Sequence, residues 1–201
     1  MLYLMHREAA TRVLGPGVRY AIWVQGCRKR CAGCINPEGQ PLHTGGYWIS
    51  EEDLLAEFMV NPKLTGITVS GGEPFLQAEG LAKLFHLVRQ QTSLDLMVYT
   101  GYTLAELRSW KSQSVDEILA DIDLLIDGEY REDENTNSIY RGSDNQVIHY
   151  MSAKYRPYRK IIEATKNRSV EFVFRGGDEL FMVGIPAKDM QKAFWAQIGR
   201  R

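Results

Sequence analysis

The sequence has 201 residues but only three cysteines, and all three lie between positions 27 and 34. Three thiols cannot pair completely, which excludes the disulfide framework that stabilises many small secreted domains. No apolar run approaches the roughly 18 residues needed to span a bilayer. The formal net charge is −1, so general electrostatic attraction to nucleic acid or anionic membranes is absent. We therefore expect neither nucleic acid nor a membrane as a partner.

The rest of the composition is ordinary, with 44% hydrophobic and 24% charged residues. These values are typical of a soluble globular protein that can bury enough apolar surface without disulfides. The first residues, MLYLMHREAATRV, combine a very short apolar start with mixed charge, unlike a signal peptide. Free cysteines and no recognisable export signal lead us to expect a cytoplasmic location.

Four short apolar runs that end at or near glycine predict buried strands. They are YAIWVQG (20–26), GITVSGG (66–72), LDLMVYTG (94–101) and DIDLLIDG (121–128). Helical patterns alternate with them at 50–60, 77–91, 103–110 and 114–121. This alternation predicts an α/β fold with a mostly parallel sheet. Because the runs are almost continuously hydrophobic, both faces of the sheet should be covered.

Two of the helices carry specific signals. Ser50 and Asp53 form a capping-box pattern at the start of a helix, and one face of 77–91 collects apolar residues. That face comprises Leu81, Leu84, Phe85 and Val88.

Towards the end of the chain, the pattern of residues 170–186 predicts a β-hairpin around a Gly-Gly turn, followed by a helix at 187–198. We therefore divide the chain into a core, residues 1–149, and an extension, residues 150–201, packed on that core.

The cysteine loop, residues 26–36, contains Cys27, Cys31 and Cys34. Thiolates favour zinc or iron–sulfur clusters. A [4Fe–4S] cluster normally takes four cysteines, so three would leave one iron open to another ligand, as in catalytic zinc sites. The alternative is a zinc site completed by His43, although its spacing from Cys34 is imperfect. We favour the cluster, with the three cysteines as metal ligands and catalytic centre.

The spacing CRKRCAGC resembles the signature of the radical S-adenosylmethionine (SAM) enzymes, and VSGGEPFLQ (69–77) resembles their Gly-Gly-Glu motif. Exposed glycine backbone permits close approach of a ligand, and a glutamate suits the SAM ammonium group. The resemblance implies a partial (βα)6 barrel, a [4Fe–4S] cluster and bound SAM. The cofactor-binding residues that it implies are Gly33, Ile35, Gly71, Gly72, Glu73, Thr100 and Asp127.

Three further stretches are similar to the anaerobic ribonucleotide reductase activating proteins, which are glycyl-radical activating enzymes. They are LGPGVRYAIWVQGC (14–27), DLLIDGEY (123–130) and YRGSDNQ (140–146). The resemblance implies that a 5′-deoxyadenosyl radical abstracts a hydrogen atom from a glycine of a partner enzyme. In the last stretch Arg141, Ser143, Asn145 and Gln146 have no assigned role, but they suit hydrogen bonding to an extended backbone.

The extension departs from this subfamily, which usually ends soon after the RGSxNQ motif. A radical SAM enzyme acting on a peptide or small molecule is therefore a second hypothesis, with the extension forming the substrate pocket. A non-catalytic zinc or iron–sulfur module is a third. Arg28, Lys29 and Arg30 form either a solvated loop face or a docking site for an acidic, flavodoxin-like electron donor. Thr100 and Asp127 also fit ordinary turns at strand ends.

Overall fold

The computed structural model describes residues 1–175, 179–187 and 189–197. They form an α/β fold, as predicted. The strands are β1 (Leu2–Thr11), β2 (Arg19–Val24), β3 (Tyr47–Ile49), β4 (Gly66–Gly71), β5 (Asp95–Tyr99), β6 (Leu124–Asp127), β7 (Val147–Tyr150), β8 (Val170–Arg175) and β9 (Glu179–Gly184). The helices are α1 (Glu51–Val60), α2 (Ala78–Gln91), α3 (Leu104–Ser109), α4 (Gln113–Asp121), α5 (Arg159–Ala164) and α6 (Met190–Gln197).

The predicted cap residue of α1 and the predicted apolar face of α2 are confirmed. The Ser50 side chain caps α1 by accepting a 3.0 Å hydrogen bond from the Asp53 backbone N–H. The predicted apolar face of α2 is fully buried: Leu81, Leu84, Phe85 and Val88 are all 0% exposed. Local capping and a 3.6-residue period therefore located these helices to within one residue.

The main sheet has seven strands in the order β3-β1-β2-β4-β5-β6-β7. Its centre is parallel, because β2, β4, β5 and β6 pair in parallel register. Strands β1 and β7 pair antiparallel to the two outer members of this set, and β3 pairs antiparallel to β1. The more specific expectation, a partial (βα)6 barrel, stays a prediction.

The two faces of the central sheet are covered by different parts of the chain. On the helix face, alternate residues of the strands, including Ile22 and Leu96, share one core with α1, α2 and α4. On the opposite face, Met97, Leu124 and Ile126 pack against Tyr155 and Ile162 of the extension. Both faces are thus buried, which explains why these strands read as continuous apolar runs.

Arg19, within the GPGVR stretch, links two strands of the sheet at their amino ends. It is 0% exposed, and its Nη1 lies 2.6 Å from Asp95 Oδ1. Asp95 Oδ2 also accepts hydrogen bonds from Tyr155 Oη at 2.6 Å and Lys154 Nζ at 3.1 Å. A buried arginine needs such a partner because an unpaired buried charge is costly.

The extension contains the predicted hairpin, since β8 and β9 pair antiparallel. The predicted Gly-Gly turn lies outside the described residues. The hairpin contacts β1, since Thr11 Oγ1 donates a 2.6 Å hydrogen bond to Glu171 and the Phe181 ring stacks on His6 with centroids 3.9 Å apart. The division of the chain at residue 149 stays a prediction. In the described part of the chain no helix is long and apolar enough to cross a membrane.

Candidate iron–sulfur and cofactor site

The residues that follow β2, β4, β5 and β6 meet at one edge of the sheet, because the carboxyl ends of parallel strands lie on the same side. A cavity opens there, which we call the cysteine cavity. Of the predicted site residues, it is lined by Cys27, Cys31, Cys34, Ile35, Gly71, Gly72, Glu73, Thr100 and Gln146. The tertiary structure therefore brings together residues that lie more than a hundred positions apart.

The cysteine loop is held by backbone hydrogen bonds to the segment that follows it. Gly26 N–H donates to Gly39 O at 2.8 Å, and Cys27 N–H donates to Gln40 O at 3.1 Å. Cys27 is buried, whereas Cys31 and Cys34 are half-buried. Burial raises the pKa of the Cys31 thiol to about 11, so a bound metal centre would be needed to hold it as a thiolate near neutral pH.

His43 does not join the cysteines. It lies in a separate groove with Tyr3, Gln25 and Trp48. Among the residues that the structure describes, no three His, Cys, Asp or Glu side chains are placed to hold a single metal ion. The thiolates of a [4Fe–4S] cluster bind different iron atoms, so they need not converge on one point. The geometry therefore fits the cluster better than a zinc site that includes His43.

The Gly-Gly-Glu turn fits against the cysteine loop. Gly72 N–H donates to Val24 O and Glu73 N–H donates to Gly26 O, both at 2.8 Å. Gly71 has φ +108°, and a Cβ there would lie 2.5 Å from Val24 N. A Cβ on Gly72 would collide with Gly26 O. Both positions require glycine, because any side chain would separate the two loops.

Glu73 is 1% exposed, and its carboxyl is held at three points. It accepts hydrogen bonds from Thr100 Oγ1 at 2.9 Å, Gly101 N–H at 2.8 Å and Phe75 N–H at 3.1 Å. Burial nevertheless raises the pKa of Glu73 to about 7, because desolvation disfavours the charged carboxylate. A cationic ligand in the cavity would offset that desolvation and favour the ionised form.

The RGSDNQ stretch binds this chain's own backbone after β6. Gln146 Nε2 donates to Gly128 O at 2.8 Å, and Asn145 Nδ2 donates to Glu129 O at 2.8 Å. Ser143 Oγ accepts from Arg131 N–H at 3.0 Å, and Arg141 Nη1 donates to Gln146 O at 3.2 Å. These residues hold the segment from Gly128 to Tyr130 as one wall of the cavity.

Several predicted residues lie outside the cavity lining. Asp127 is buried in the wall, where Oδ2 accepts from Leu104 N–H and lies 2.8 Å from His149 Nε2. Gly33 adopts φ +69° with Glu132 beside it, so its requirement is conformational. The others are Arg141, Ser143 and Asn145. A cofactor role for Gly33 and Asp127 stays a prediction.

The cavity also contains two buried polar side chains. Tyr99 ends a predicted strand, where the sequence suggested either contact with the SAM ribose or an ordinary turn, whereas sequence reasoning missed Asn36. Asn36 Nδ2 and the Tyr99 hydroxyl are buried without a hydrogen-bond partner among the described residues, and both side chains line the cavity. Leaving such atoms unpaired is costly, so they suit a polar ligand. The three thiols, the close-fitting glycine turn, Glu73 and these orphan groups together fit an iron–sulfur cluster with SAM. Asn36 lies two positions after Cys34, inside the cysteine loop. That position was the signal from which its place in the cavity could have been predicted.

Comparison with known proteins agrees with this geometry. The family model described as a 4Fe-4S single cluster domain matches residues 13–149. The anaerobic ribonucleoside-triphosphate reductase-activating protein of Vibrio cholerae is 35% identical over 144 residues, or 68% of this chain and 90% of the relative. The Escherichia coli K12 protein of the same name is 33% identical, covering 69% and 92%. The Enterobacteria phage T4 protein is 30% identical, covering 68% and 86%.

The family model includes the cysteine loop, the Gly-Gly-Glu turn and the RGSDNQ stretch, and the residues after 149 lie beyond it. The resemblance drawn from these motifs is confirmed. The expectation that the chain is an activating enzyme is confirmed as well. The chain belongs to the family of anaerobic ribonucleoside-triphosphate reductase-activating proteins.

Proposed function

We propose that this chain binds a [4Fe–4S] cluster through Cys27, Cys31 and Cys34 and uses it to cleave SAM. One electron supplied to the cluster would break the sulfonium C–S bond and release methionine and a 5′-deoxyadenosyl radical. That radical would take a hydrogen atom from a glycine of an anaerobic ribonucleotide reductase, leaving 5′-deoxyadenosine and a glycyl radical. The observation that carries the proposal is the meeting of three thiols with Gly72 and Glu73 in one cavity.

The chain's own residues would bind and orient the reactants, while the cofactor supplies the difficult chemistry. Glu73 would accept hydrogen bonds from the SAM ammonium group. Gly71 and Gly72 would let backbone approach the cofactor closely. The apolar side chains that line the cavity, including Trp23 and Ile35, would exclude water from a reactive radical.

The electron would come from an acidic, flavodoxin-like donor that docks beside the cysteine loop. Arg28 is exposed on this loop, and a basic side chain there would steer an acidic partner. Arg30 has a different contact, since its Nη1 donates to Cys27 O at 2.6 Å. A cytoplasmic location stays part of the proposal.

A second candidate is a radical SAM enzyme that acts on a peptide or small molecule. The specific observation in its favour is that Gly184 and Ile185 of the extension line the cysteine cavity, although the matched family region ends at residue 149. In this case the extension would form part of a substrate pocket.

The first experiment is anaerobic purification with metal analysis, followed by reduction and addition of SAM. We expect iron, and formation of 5′-deoxyadenosine that is abolished by Cys34→Ala. His43→Ala is the matched control and should keep both iron and activity. Zinc without iron, or loss of metal in His43→Ala, would contradict the cluster assignment.

The second experiment identifies the substrate. The protein is mixed with the glycyl-radical enzyme encoded nearest to it, and electron paramagnetic resonance is recorded after SAM cleavage. A glycyl radical signal would support the activating function. SAM cleavage without that signal would favour the second candidate.

A further inference from the structure

Ile185, immediately after β9, lies between two cavities. It is 9% exposed and lines the cysteine cavity together with Gly184. It also lines a second cavity formed by residues of the core and the extension. That second cavity is lined by Arg12, Val13, Ile139, Tyr140, Asn167, Arg168, Ser169 and Ile185. Ile185 is therefore a wall residue of both cavities.

Apolar packing positions this wall. Ile185 belongs to a small core with Leu14, Ala21 and Val183, against which Ile35 of the cysteine loop also packs. Ile35 directly follows Cys34, so the extension and the third thiol are linked through one packed core. Close-packed side chains of this kind hold a fixed position.

The backbone at Gly184 allows Ile185 to reach this place. Gly184 has φ +119°, and a Cβ there would lie 3.0 Å from Ser169 O and 3.0 Å from Val13 Cγ2. Glycine is therefore required both by the left-handed conformation and by the close approach of the neighbouring chain.

Arg168, at the entrance to the hairpin, ties the extension to the RGSDNQ stretch. Its Nη1 donates to Arg141 O at 2.7 Å, and its Nη2 donates to Asn137 Oδ1 at 2.9 Å. The hairpin region is thus held at β1, at the small apolar core that contacts Ile35, and at the RGSDNQ stretch.

We propose that Ile185 is a specificity-determining residue, whose side chain limits the substrate group that can pass from the second cavity to the cysteine cavity. The second cavity offers the hydrogen-bonding residues Asn167 and Ser169 beside the basic residues Arg12 and Arg168, and their donors suit the backbone carbonyls of an extended polypeptide. A backbone segment without a side chain, such as glycine, passes Ile185, whereas a bulky residue does not. This inference rests on the proposed function.

The first test measures whether Ile185 limits access to Cys27, using the full chain prepared without iron. Alkylation of Cys27 by a bulky maleimide is followed by mass spectrometry. Ile185→Ala joins the two cavities and is expected to raise the alkylation rate several-fold. Ile185→Phe should lower the rate. Phe174→Ala is the matched control, since Phe174 is 79% exposed on the same hairpin, and it should leave the rate unchanged.

The second test measures specificity in the cluster-loaded protein with its glycyl-radical partner. In Ile185→Ala other hydrogen donors can reach the radical, so more 5′-deoxyadenosine should form for each glycyl radical. In Ile185→Phe the glycyl radical signal for each 5′-deoxyadenosine formed should fall. Far-ultraviolet circular dichroism and thermal unfolding check that each variant folds.

The outcomes separate the two proposals. Unchanged Cys27 alkylation in both Ile185 variants would overturn the wall, whether or not SAM is cleaved. Altered alkylation with no SAM cleavage by the wild type would overturn the proposed function, and the specificity role with it. Altered alkylation with an unchanged ratio of 5′-deoxyadenosine to glycyl radical would overturn the specificity role alone.

Discussion

Glu73 combines deep burial with three hydrogen bonds to its carboxyl group. Two of the donors, Thr100 and Gly101, follow β5, so this side chain joins the ends of two parallel strands. Because burial raises its pKa to about 7, Glu73 exchanges a proton near neutral pH. Both its ligand affinity and its contribution to stability should therefore depend on pH.

SAM binding should strengthen as pH rises towards 7, because the ammonium group favours ionised Glu73. One pH unit below the pKa, the affinity should fall roughly tenfold. Isothermal titration calorimetry in buffers of different ionisation enthalpy would detect the released proton. Glu73→Gln should remove the dependence, and Glu38→Gln, at an exposed carboxylate, should keep it. Equal dependence in both variants would contradict the assignment.

Ionisation of Glu73 has the opposite effect on folding stability, which falls as pH rises, whereas SAM affinity increases. Its pKa is raised from 4.5 to about 7, so the folded state holds more protons than the unfolded state between these values. Stability is therefore lost as pH rises through this window. The shift corresponds to roughly 3 kcal/mol at most. Glu73→Gln should be more stable than the wild type at high pH, as chemical denaturation at several pH values would measure.

At the scale of the elements, the turn after β4 depends on close backbone contact with β2. Gly71→Ala introduces a Cβ 2.5 Å from Val24 backbone atoms at φ +108°. We expect a loss of roughly 2–4 kcal/mol in the free energy of unfolding, measured by urea denaturation. Gly101→Ala is the control, because its Cβ first meets the flexible Lys29 side chain at 3.3 Å. Similar losses in both variants would contradict the proposed strain.

The Arg19–Asp95 pair joins β2 and β5 at the amino ends of the sheet, away from the thiols. Arg19→Met leaves Asp95 buried without its arginine, and breaking such a pair typically costs about 3–5 kcal/mol. The control is Arg7→Met, since Arg7 and Glu57 form a partly exposed pair worth about 1 kcal/mol or less. Thermal unfolding would compare them, and equal midpoints would show that Arg19 is not a structural anchor.

For the molecule as a whole, the extension, including α5, covers the sheet face opposite α1, α2 and α4. Tyr155 and Ile162 bury Met97, Leu124 and Ile126, and Val183 covers Ala21. Removing this cover would expose a contiguous apolar surface to water. The extension therefore buries apolar surface of the sheet as well as lining the cavity.

A chain ending at residue 149 should consequently be less stable than the full chain, although the matched family region ends there. We expect increased binding of a hydrophobic dye and a lower urea midpoint in the truncated protein. Tyr155→Ala in the full chain is a milder variant, since it removes the hydrogen bond to Asp95 and part of the cover. Unchanged stability in the truncated protein would show that residues 1–149 fold independently.

The sequence predicted elements whose signals are local. Four strands and four helices of the core were located to within a few residues, because burial on both faces and helical period leave direct patterns. Strand β1 was missed, although its residues alternate between buried and partly buried up to Arg7. Its charged residues obscured that alternation. Strands β3 and β7 have only three and four residues, too few for a period to be read.

By itself the sequence determined the family and predicted the chemistry of the site, because three thiols within eight positions and a Gly-Gly-Glu turn need only short spacings. Only the tertiary structure decided which residues share the cavity and what the other motifs do. It showed that Arg19 anchors the sheet, that RGSDNQ binds the chain's own backbone, and that Ile185 joins the cavity wall. The physical reason is that burial and hydrogen bonding between distant segments depend on the whole packed chain, whereas a motif's spacing is set locally.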